Sequence, residues 1–128
     1  MAGYLDTSLL VPLSIREPGT ARAQTFLTAN ASQVLVISPW TITEFSSALA
    51  LKQRVGTISG QRLQIVAIES ADFVAAAGLC VASGVALRAG DGLHLAVCRR
   101  VRGGLATMDM GLAAAGQELG LTVELIQA

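Results

Sequence analysis

Short apolar runs alternate along this chain with longer segments in which apolar residues recur at helical spacing. The apolar runs predict buried strands at residues 4–5, 34–37, 105–107 and 121–126. The longer segments predict helices at residues 9–15, 20–30, 40–54, 59–68, 70–82, 88–102 and 109–119. Because strands that alternate with helices form a parallel sheet, we expect an α/β fold. Its central, mostly parallel sheet of about four to five strands should carry helices on both faces.

Proline and glycine mark the ends of several of these segments. Ser38 and Pro39 are typical of a helix start, since proline lacks the amide hydrogen that a first turn leaves unpaired. Gly56 is a candidate end for the same helix. Pro12 is expected to disturb the short helix after the first strand. The sequence contains no linker and no repeat, so we expect a single domain over residues 1–128.

The composition excludes several classes of function. Nine basic and nine acidic residues balance, so any binding of nucleic acid must depend on a local patch. Lys52 is the only lysine and no phosphate-binding loop surrounds it, which argues against a Walker-type nucleotide site. Cys80 and Cys98 form no C-x-x-C pair, and we interpret them as small core residues in a reducing compartment.

No segment is typical of a membrane span or a secretion signal. Residues 73–87 are the most apolar stretch, but they are too few to span a bilayer comfortably and charged residues bracket them. We interpret them as a buried helix or as a helix at a subunit interface. The N-terminus has no basic region followed by a long apolar run, so we expect a cytoplasmic protein without a membrane partner.

Four acidic residues lie at predicted strand ends or near predicted helix starts. Asp6 and Asp109 each follow a predicted strand. Glu44 lies in the first turns of the helix after the second strand, and Asp91 opens the helix before the strand at residues 105–107. Since parallel strands present their carboxyl ends at one edge of a sheet, we expect all four carboxylates to converge on a crevice there.

Each of these acids also has a purely structural explanation. Asp6 and Asp109 both suit a helix N-cap, and Asp109 taken alone is better explained in that way. Glu44 fits the acidic position of a capping box, although it lies beyond the better helix start. Asp91 can pair with Arg88, but the glycines on either side of it cost helix stability and indicate a close approach to the backbone.

A cluster of four carboxylates is stable only if protons or cations neutralise it. At a separation of about 7 Å and an effective dielectric constant of about 20, each pair repels by roughly 2 kcal/mol. Summed over all pairs, this repulsion approaches the stability of a whole domain, about 5–15 kcal/mol. Oxygen ligands without histidine or cysteine select a hard cation such as Mg²⁺ or Mn²⁺. Such ions promote phosphodiester hydrolysis, so the acids predict a metal-dependent nuclease.

Five short motifs surround these acids and the last predicted strand: residues 4–8 (YLDTS), 43–45 (TEF), 88–96 (RAGDGLHLA), 106–109 (ATMD) and 119–123 (LGLTV). In their order and spacing, these motifs resemble the PIN domain family, and within it the VapC-type toxins of bacterial toxin–antitoxin pairs. Each motif alone is weak, whereas together they cover nearly the whole chain. The resemblance implies a PIN-like α/β/α sandwich.

The resemblance also implies a function, namely a Mg²⁺- or Mn²⁺-dependent endoribonuclease. As a toxin it would inhibit translation by cutting tRNA or another structured RNA. The acidic quartet, implied both to bind metal and to catalyse, is Asp6, Glu44, Asp91 and Asp109. The strongest candidates for direct ligands are Asp6 and Asp91. Hydroxyls implied to orient carboxylates or water are those of Thr7, Ser8 and Thr107. The implied partners are RNA, a VapB-type antitoxin and a second copy of the chain in a homodimer.

Two other classes of function remain as alternatives. A PIN-like scaffold that binds RNA or protein without cutting would be expected to have lost acids, and here the quartet is intact. A phosphoryl-transfer domain with Asp6 as nucleophile would need a second aspartate two residues later, where Ser8 stands. We therefore interpret Asp6 as a metal ligand and assign the start of the following helix to Ser8.

His94 and the arginines at the end of its helix are interpreted as structural. His94 is the only histidine, which excludes a ribonuclease that uses two histidines. It lies on the same helix face as Asp91 and is expected to be a partly buried helix residue. Arg99, Arg100 and Arg102 could contact phosphates, but a solvated helix end that complements the helix dipole is the favoured interpretation.

Overall fold

The computed structural model describes residues 2–45, 63–82, 84 and 87–127, and within them a five-stranded parallel sheet forms the centre. The strands are β1 (Gly3–Leu5), β2 (Leu35–Ile37), β3 (Leu63–Ile65), β4 (Gly104–Thr107) and β5 (Val123–Leu125). The helices are α1 (Thr7–Ser14), α2 (Thr20–Ala29), α3 (Pro39–Glu44), α4 (Ser70–Ala82), α5 (Ala89–Arg100) and α6 (Met110–Glu118). The strand order is β3-β2-β1-β4-β5, and the predicted α/β fold is confirmed.

Neighbouring residues of the central strand enter two different cores, one on each face of the sheet. Leu5 of β1 packs with the apolar side chains of α1 and α2. Tyr4 packs instead with those of α4, α5 and α6. Both side chains are fully buried, with no exposed surface. The helices therefore cover both faces of the sheet, as the continuous apolar runs indicated.

The register of β1 determines where the polar residues after it lie. Tyr4 pairs with Val36 of β2 and with Leu105 of β4. Because all three strands are parallel and nearly level, they end at the same edge of the sheet. The chain leaves this carboxyl edge into α1, α3 and α6, so the polar residues at the starts of these helices are neighbours.

The helix predicted at residues 59–68 is wrong for its described part. Residues 63–65 form the edge strand β3, in which Leu63 pairs with Leu35 and Ile65 pairs with Ile37. A short apolar run fits either a strand or a helix by its spacing alone. Here the free backbone edge of β2 decides, because its amide and carbonyl groups need partners. Residues 59–62 lie outside the described residues.

The helix predicted at residues 40–54 begins at Pro39, and its described part ends at Glu44. Phe45 has an extended backbone, with φ −137° and ψ 96°, while its amide still donates to the carbonyl of Thr41 at 2.9 Å. From this position the Phe45 side chain packs against the core of α1 and α2. The remainder of the predicted helix and its proposed end at Gly56 lie outside the described residues.

The other predicted strands and helices occur within two residues of their expected ends. Pro12 lies inside α1 without ending it. Cys80 and Cys98 are free thiols, and Cys98 is buried in the core as predicted. In the part of the chain that the structure describes, no helix is long and apolar enough to cross a membrane.

The apolar helix α4 is not buried on all sides, so one of its two proposed explanations is wrong. Ala76 and Leu79 pack into the core. Phe73, Val74 and Val81 lie on the other side and are 56%, 76% and 88% exposed. The alternative explanation, a helix at a subunit interface, stays a prediction.

Candidate active site

A cleft of about 620 Å³ opens at the carboxyl edge of the sheet. Its lining includes the four acids that the sequence singled out, namely Asp6, Glu44, Asp91 and Asp109. They come from four separate parts of the chain: after β1, at the end of α3, in the first turn of α5 and just before α6. The structure therefore brings all four predicted acids to one cleft, while their chemical roles stay a prediction.

Asp6 is the most buried of these acids, with 5% of its surface exposed. Its carboxylate caps α1 by accepting hydrogen bonds from the backbone N–H of Ser8 at 3.2 Å and from the Ser8 hydroxyl at 2.9 Å. The assignment of the helix start to Ser8 is therefore wrong, because Ser8 donates to the cap. Burial raises the pKa of Asp6, and hydrogen bonds from Thr107 and Ser8 oppose that rise. Burial therefore disfavours the charged form of Asp6, and a nearby cation would offset that effect.

Ser8 and Thr107 connect the ends of β1 and β4 beneath the cleft. The Ser8 hydroxyl oxygen accepts from the backbone N–H of Met108 at 2.9 Å and lies 3.2 Å from the hydroxyl of Thr107. The Thr107 hydroxyl oxygen accepts from the backbone N–H of Asp109 at 2.9 Å. These contacts hold the turns that carry Asp6 and Asp109 in a fixed relation.

Glu44 is the last residue of α3, and two hydrogen bonds hold its carboxylate in the cleft. Its Oε1 accepts from the Thr7 hydroxyl at 2.8 Å and from Nε2 of His94 at 2.6 Å. The bond from His94 lowers the pKa of Glu44; burial acts in the opposite direction, and the bond from Thr7 assists the lowering. The capping box considered for Glu44 is absent, since the residue ends a helix and does not begin one.

His94 joins the cleft to the core, a role that the sequence did not reveal. The residue is 2% exposed, more buried than predicted. Its Nδ1 lies 2.6 Å from the Tyr4 hydroxyl, which is itself 2.9 Å from Oγ of Ser38. The spacing within α5 placed His94 on the Asp91 face, but no local pattern could reveal its contact with Tyr4. The two residues are 90 positions apart in the chain.

The other two acids hold the starts of helices. Asp91 is half-buried in the first turn of α5 and accepts from the backbone N–H of Arg88 at 3.2 Å. Asp109 is the N-cap of α6 and accepts from the backbone N–H of Leu112 at 3.0 Å, as its capping interpretation predicted. Both residues also line the cleft, so holding a helix start does not prevent either acid from belonging to the site.

The glycines on either side of Asp91 are points of close approach, as the sequence indicated. A Cβ atom at Gly90 would lie 2.5 Å from the indole nitrogen of Trp40, which lines the cleft. A Cβ atom at Gly92 would lie 2.9 Å from the carbonyl oxygen of Ala76 in α4. Gly92 therefore serves the packing of two helices, and Gly90 is the one that borders the site.

Arg100 is not a solvated cation at a helix end, so that interpretation is wrong for this residue. Its Nε donates to both carboxylate oxygens of Asp72, at 2.9 and 3.1 Å, and Nη2 donates to the carbonyl of Ala67 at 2.6 Å. Asp72 is 3% exposed, so the pair clamps the start of α4 to the end of α5. Among the described residues that line the cleft, Arg88 is the only arginine.

The acids do not form a preformed metal cage. Among residues 2–45, 63–82, 84 and 87–127, no three His, Cys, Asp or Glu side chains lie close enough together to enclose an ion. Mg²⁺ needs no such cage, because it commonly keeps several waters and is held by one or two carboxylates. The buried Asp6 and the half-buried Asp91 supply oxygen donors of this kind, so the residues fit a hydrated hard cation.

Comparison with known sequences identifies one family. A family model described as the PIN domain matches residues 3–118. No curated protein sequence is significantly similar to the chain.

Three solved structures share the fold over nearly their whole length. VapBC2 from Rickettsia felis, bound to a DNA fragment from its promoter, has 16% identity and a TM-score of 0.72, with 99% of this chain and 100% of the other covered. VapC20 from Mycobacterium tuberculosis, described as a sarcin–ricin loop cleaving toxin, has 16% identity, a TM-score of 0.68 and coverages of 90% and 95%. A toxin–antitoxin complex from Klebsiella pneumoniae has 21% identity, a TM-score of 0.62 and coverages of 88% and 91%. At these identities the similarity shows the fold alone.

Proposed function

This chain belongs to the PIN domain family, and from that premise we propose that it is an endoribonuclease that hydrolyses RNA phosphodiester bonds with Mg²⁺ or Mn²⁺. The observation that carries the proposal is the convergence of four acids, from distant parts of the chain, on one cleft. Carboxylates that only stabilised the fold would not need to share a cleft, where each pair repels. The burial that raises the pKa of Asp6 supports a site that a cation completes.

Within the cleft, we assign Asp6 and Asp91 as the direct ligands, with Glu44 and Asp109 completing the acidic lining. When bound, the ion supplies the charge that activates water and stabilises the anionic transition state of hydrolysis. Hydroxyl groups next to Asp6 and Glu44 hold these carboxylates in place by donating to them. Without a cation, the acids would repel the phosphates of RNA, so metal binding also prepares the cleft for its substrate.

We further propose that the enzyme is the toxin of a toxin–antitoxin pair, a VapC-type protein that inhibits translation by cutting tRNA or another structured RNA. Three proteins with the same fold support this proposal through their descriptions as VapBC2, a loop-cleaving toxin and a toxin–antitoxin complex. The corresponding partners are a VapB-type antitoxin and a second copy of the chain in a homodimer. Residues 1–128 would then form a single PIN domain that acts in the cytoplasm.

The test is cleavage of structured RNA by the purified protein with Mg²⁺ or Mn²⁺. We expect both a chelator and the substitution Asp6→Asn to abolish cleavage, since each removes the metal site. Glu124→Gln is the matched control, because it also converts an acid to its amide but lies exposed on β5, outside the cleft. Undiminished cleavage by the Asp6→Asn protein would contradict the mechanism.

The alternative function, a scaffold that binds RNA or protein without cutting it, is favoured by one observation. No three of the described acids are clustered tightly enough to enclose an ion. A scaffold would bind the same RNA with and without Mn²⁺, and it would leave the RNA intact at any metal concentration. Binding that is strengthened by Mn²⁺ and followed by cleavage excludes the scaffold.

A further inference from the structure

A chain of hydrogen bonds runs from the buried core between β1 and α5 to the edge of the acidic cleft. It begins with Ser38 and Tyr4, whose side-chain oxygens are 2.9 Å apart. It continues from the Tyr4 hydroxyl to Nδ1 of His94 at 2.6 Å, and from Nε2 of His94 to Oε1 of Glu44 at 2.6 Å. Both Tyr4 and His94 are essentially without exposed surface, at 0% and 2%. The histidine ring therefore has a fixed partner on each nitrogen.

The direction of the last bond follows from the chemistry of its two groups. An ionised carboxylate only accepts hydrogen bonds, so Nε2 of His94 carries a proton and donates it to Glu44. Turning the ring would remove its partners on both sides at once and leave buried nitrogens unsatisfied, which is costly. The position of Nε2 is thus set by the core through Tyr4, and it does not depend on what occupies the cleft.

Glu44 needs such a donor more than the other three acids do. Asp6 and Asp109 cap helices, and Asp91 lies in a first helical turn, so each of them accepts from a backbone N–H. Glu44 lies at the carboxyl end of α3, where free backbone carbonyls oppose a negative charge. Its side chain is also long and 34% exposed. The hydrogen bonds described for Glu44 come from side chains, and the one from His94 is partly buried whereas the one from Thr7 is exposed.

We propose that His94 is a positioning residue of the metal site, which holds the Glu44 carboxylate in the cleft through Nε2 while Tyr4 holds the opposite side of the ring. This inference rests on the proposed metal-dependent function. In this role His94 acts through Glu44. Residues that hydrogen-bond to a metal ligand without binding the metal hold that ligand in its orientation. Loss of such a residue commonly weakens metal affinity about 10- to 100-fold.

The two amide substitutions of His94 form a matched pair. Glutamine places its amide nitrogen near the position of Nε2, so His94→Gln keeps the donor to Glu44. Asparagine places its amide near the position of Nδ1, so His94→Asn keeps a partner for Tyr4 and loses the donor to Glu44. Both variants exchange a buried ring for a smaller polar group. A difference between them therefore reports on the Glu44 contact and not on general destabilisation.

The experiment measures Mn²⁺ binding by calorimetry, without RNA, on wild type and variants whose folding is verified by circular dichroism. We expect His94→Asn to raise the Kd for Mn²⁺ by about 10- to 100-fold. His94→Gln should keep a Kd close to that of the wild type. In a Glu44→Ala background, His94→Asn should have no further effect, because the two residues act as one unit. Thr20→Val, which removes a buried hydroxyl outside the cleft, should lower Tm and leave the Kd unchanged.

A second readout needs no metal. Because His94 is the only histidine, nitrogen NMR of labelled histidine reports on this ring alone. We expect a slowly exchanging proton on Nε2 that exchanges rapidly in Glu44→Ala. A Nε2 without a proton in the wild type, or equal Mn²⁺ affinity of His94→Asn and wild type, would overturn the positioning role while leaving the proposed nuclease intact. A wild type that binds no Mn²⁺ and cuts no RNA would overturn both.

Discussion

Replacing Asp6 by asparagine and by alanine separates its two roles, the cap of α1 and the carboxylate of the cleft. Asparagine caps a helix as well as aspartate does, because its side-chain oxygen accepts the same backbone hydrogen bond, whereas alanine has no acceptor. The bonds at stake come from the backbone N–H and the hydroxyl of Ser8, at 3.2 and 2.9 Å. Both variants remove the charge, so the difference between their free energies of unfolding reports on the helix cap alone. We expect Asp6→Ala to be less stable than Asp6→Asn by about 0.5–2 kcal/mol.

The charge of Asp6 adds a pH dependence whose sign can be worked out. Burial raises the pKa of Asp6, so the folded protein binds a proton there more tightly than the unfolded chain does. The contribution of this residue to stability is therefore fully present below the unfolded pKa of about 3.9, and it is lost as the pH rises through the folded pKa. Without metal ions, Asp6→Asn should be at least as stable as wild type at neutral pH. The advantage should shrink as the pH falls.

Urea unfolding followed by circular dichroism, in buffer with a chelator, compares the three proteins over this pH range. Adding Mg²⁺ should then stabilise the wild type, by about 2.7 kcal/mol when the ion is at 100 times its Kd, and leave Asp6→Asn unchanged. Equal stability of the alanine and asparagine variants would refute the capping argument. An Asp6→Asn protein that is less stable than wild type in chelator at neutral pH would refute the argument from burial.

Two further substitutions test the packing that supports the site. Arg100→Ala leaves the buried carboxylate of Asp72 without its partner and should cost about 1–3 kcal/mol, between the values for exposed and buried ion pairs. Burial acts to raise the pKa of Asp72, but the bonds and charge of Arg100, together with the bond from the backbone N–H of Glu69, lower that pKa. The stabilisation from Arg100 therefore exists above the unfolded pKa and is lost in acid. The free energies of unfolding of wild type and Arg100→Ala, measured with urea, should therefore approach each other at low pH. A difference that does not change with pH would contradict this account. Gly92→Ala would place its Cβ 2.9 Å from the carbonyl oxygen of Ala76 and should lower the stability by about 1–3 kcal/mol. Gly78→Ala in α4 is the control: its Cβ would meet no atom within 4 Å, and the change should raise the stability by up to about 1 kcal/mol. Equal melting temperatures for the two alanine variants would show that α4 and α5 are less closely packed than described.

The sequence could predict those features of the site that depend on neighbouring residues. An apolar run followed by an acid predicts a strand that ends beside a helix start, and Asp6 and Asp109 lie at such positions. The glycines flanking Asp91 showed a close approach of the backbone, although not which atoms approach. Because a parallel sheet presents its strand ends at one edge, these local predictions sufficed to expect all four acids in one cleft, where the structure places them.

Features that depend on distant pairings could not be predicted. The helix predicted over residues 63–65 is a strand because β2 offers a free edge, which the local spacing does not record. The partners of His94 and of Arg100 lie far away in the chain, 90 positions away for Tyr4 and 28 for Asp72. From its residue type and position, His94 was expected to be partly buried and Arg100 to be solvated. Their partners come from elements packed against α5: Tyr4 from β1 and Asp72 from α4.

Capping and metal binding, which the sequence presented as alternatives for the acids, are compatible because of where the helices begin. Asp6, Asp109 and Asp91 lie in the first turns or caps of three helices that start at the carboxyl edge of one sheet. Each helix start carries about half a positive elementary charge in its unpaired N–H groups, which offsets part of the repulsion among the acids. Glu44 lies at the opposite end of its helix and lacks this compensation, so the fold provides His94 as a side-chain donor. The helix starts and His94 therefore offset part of the repulsion among the four carboxylates, and a bound ion would offset the rest.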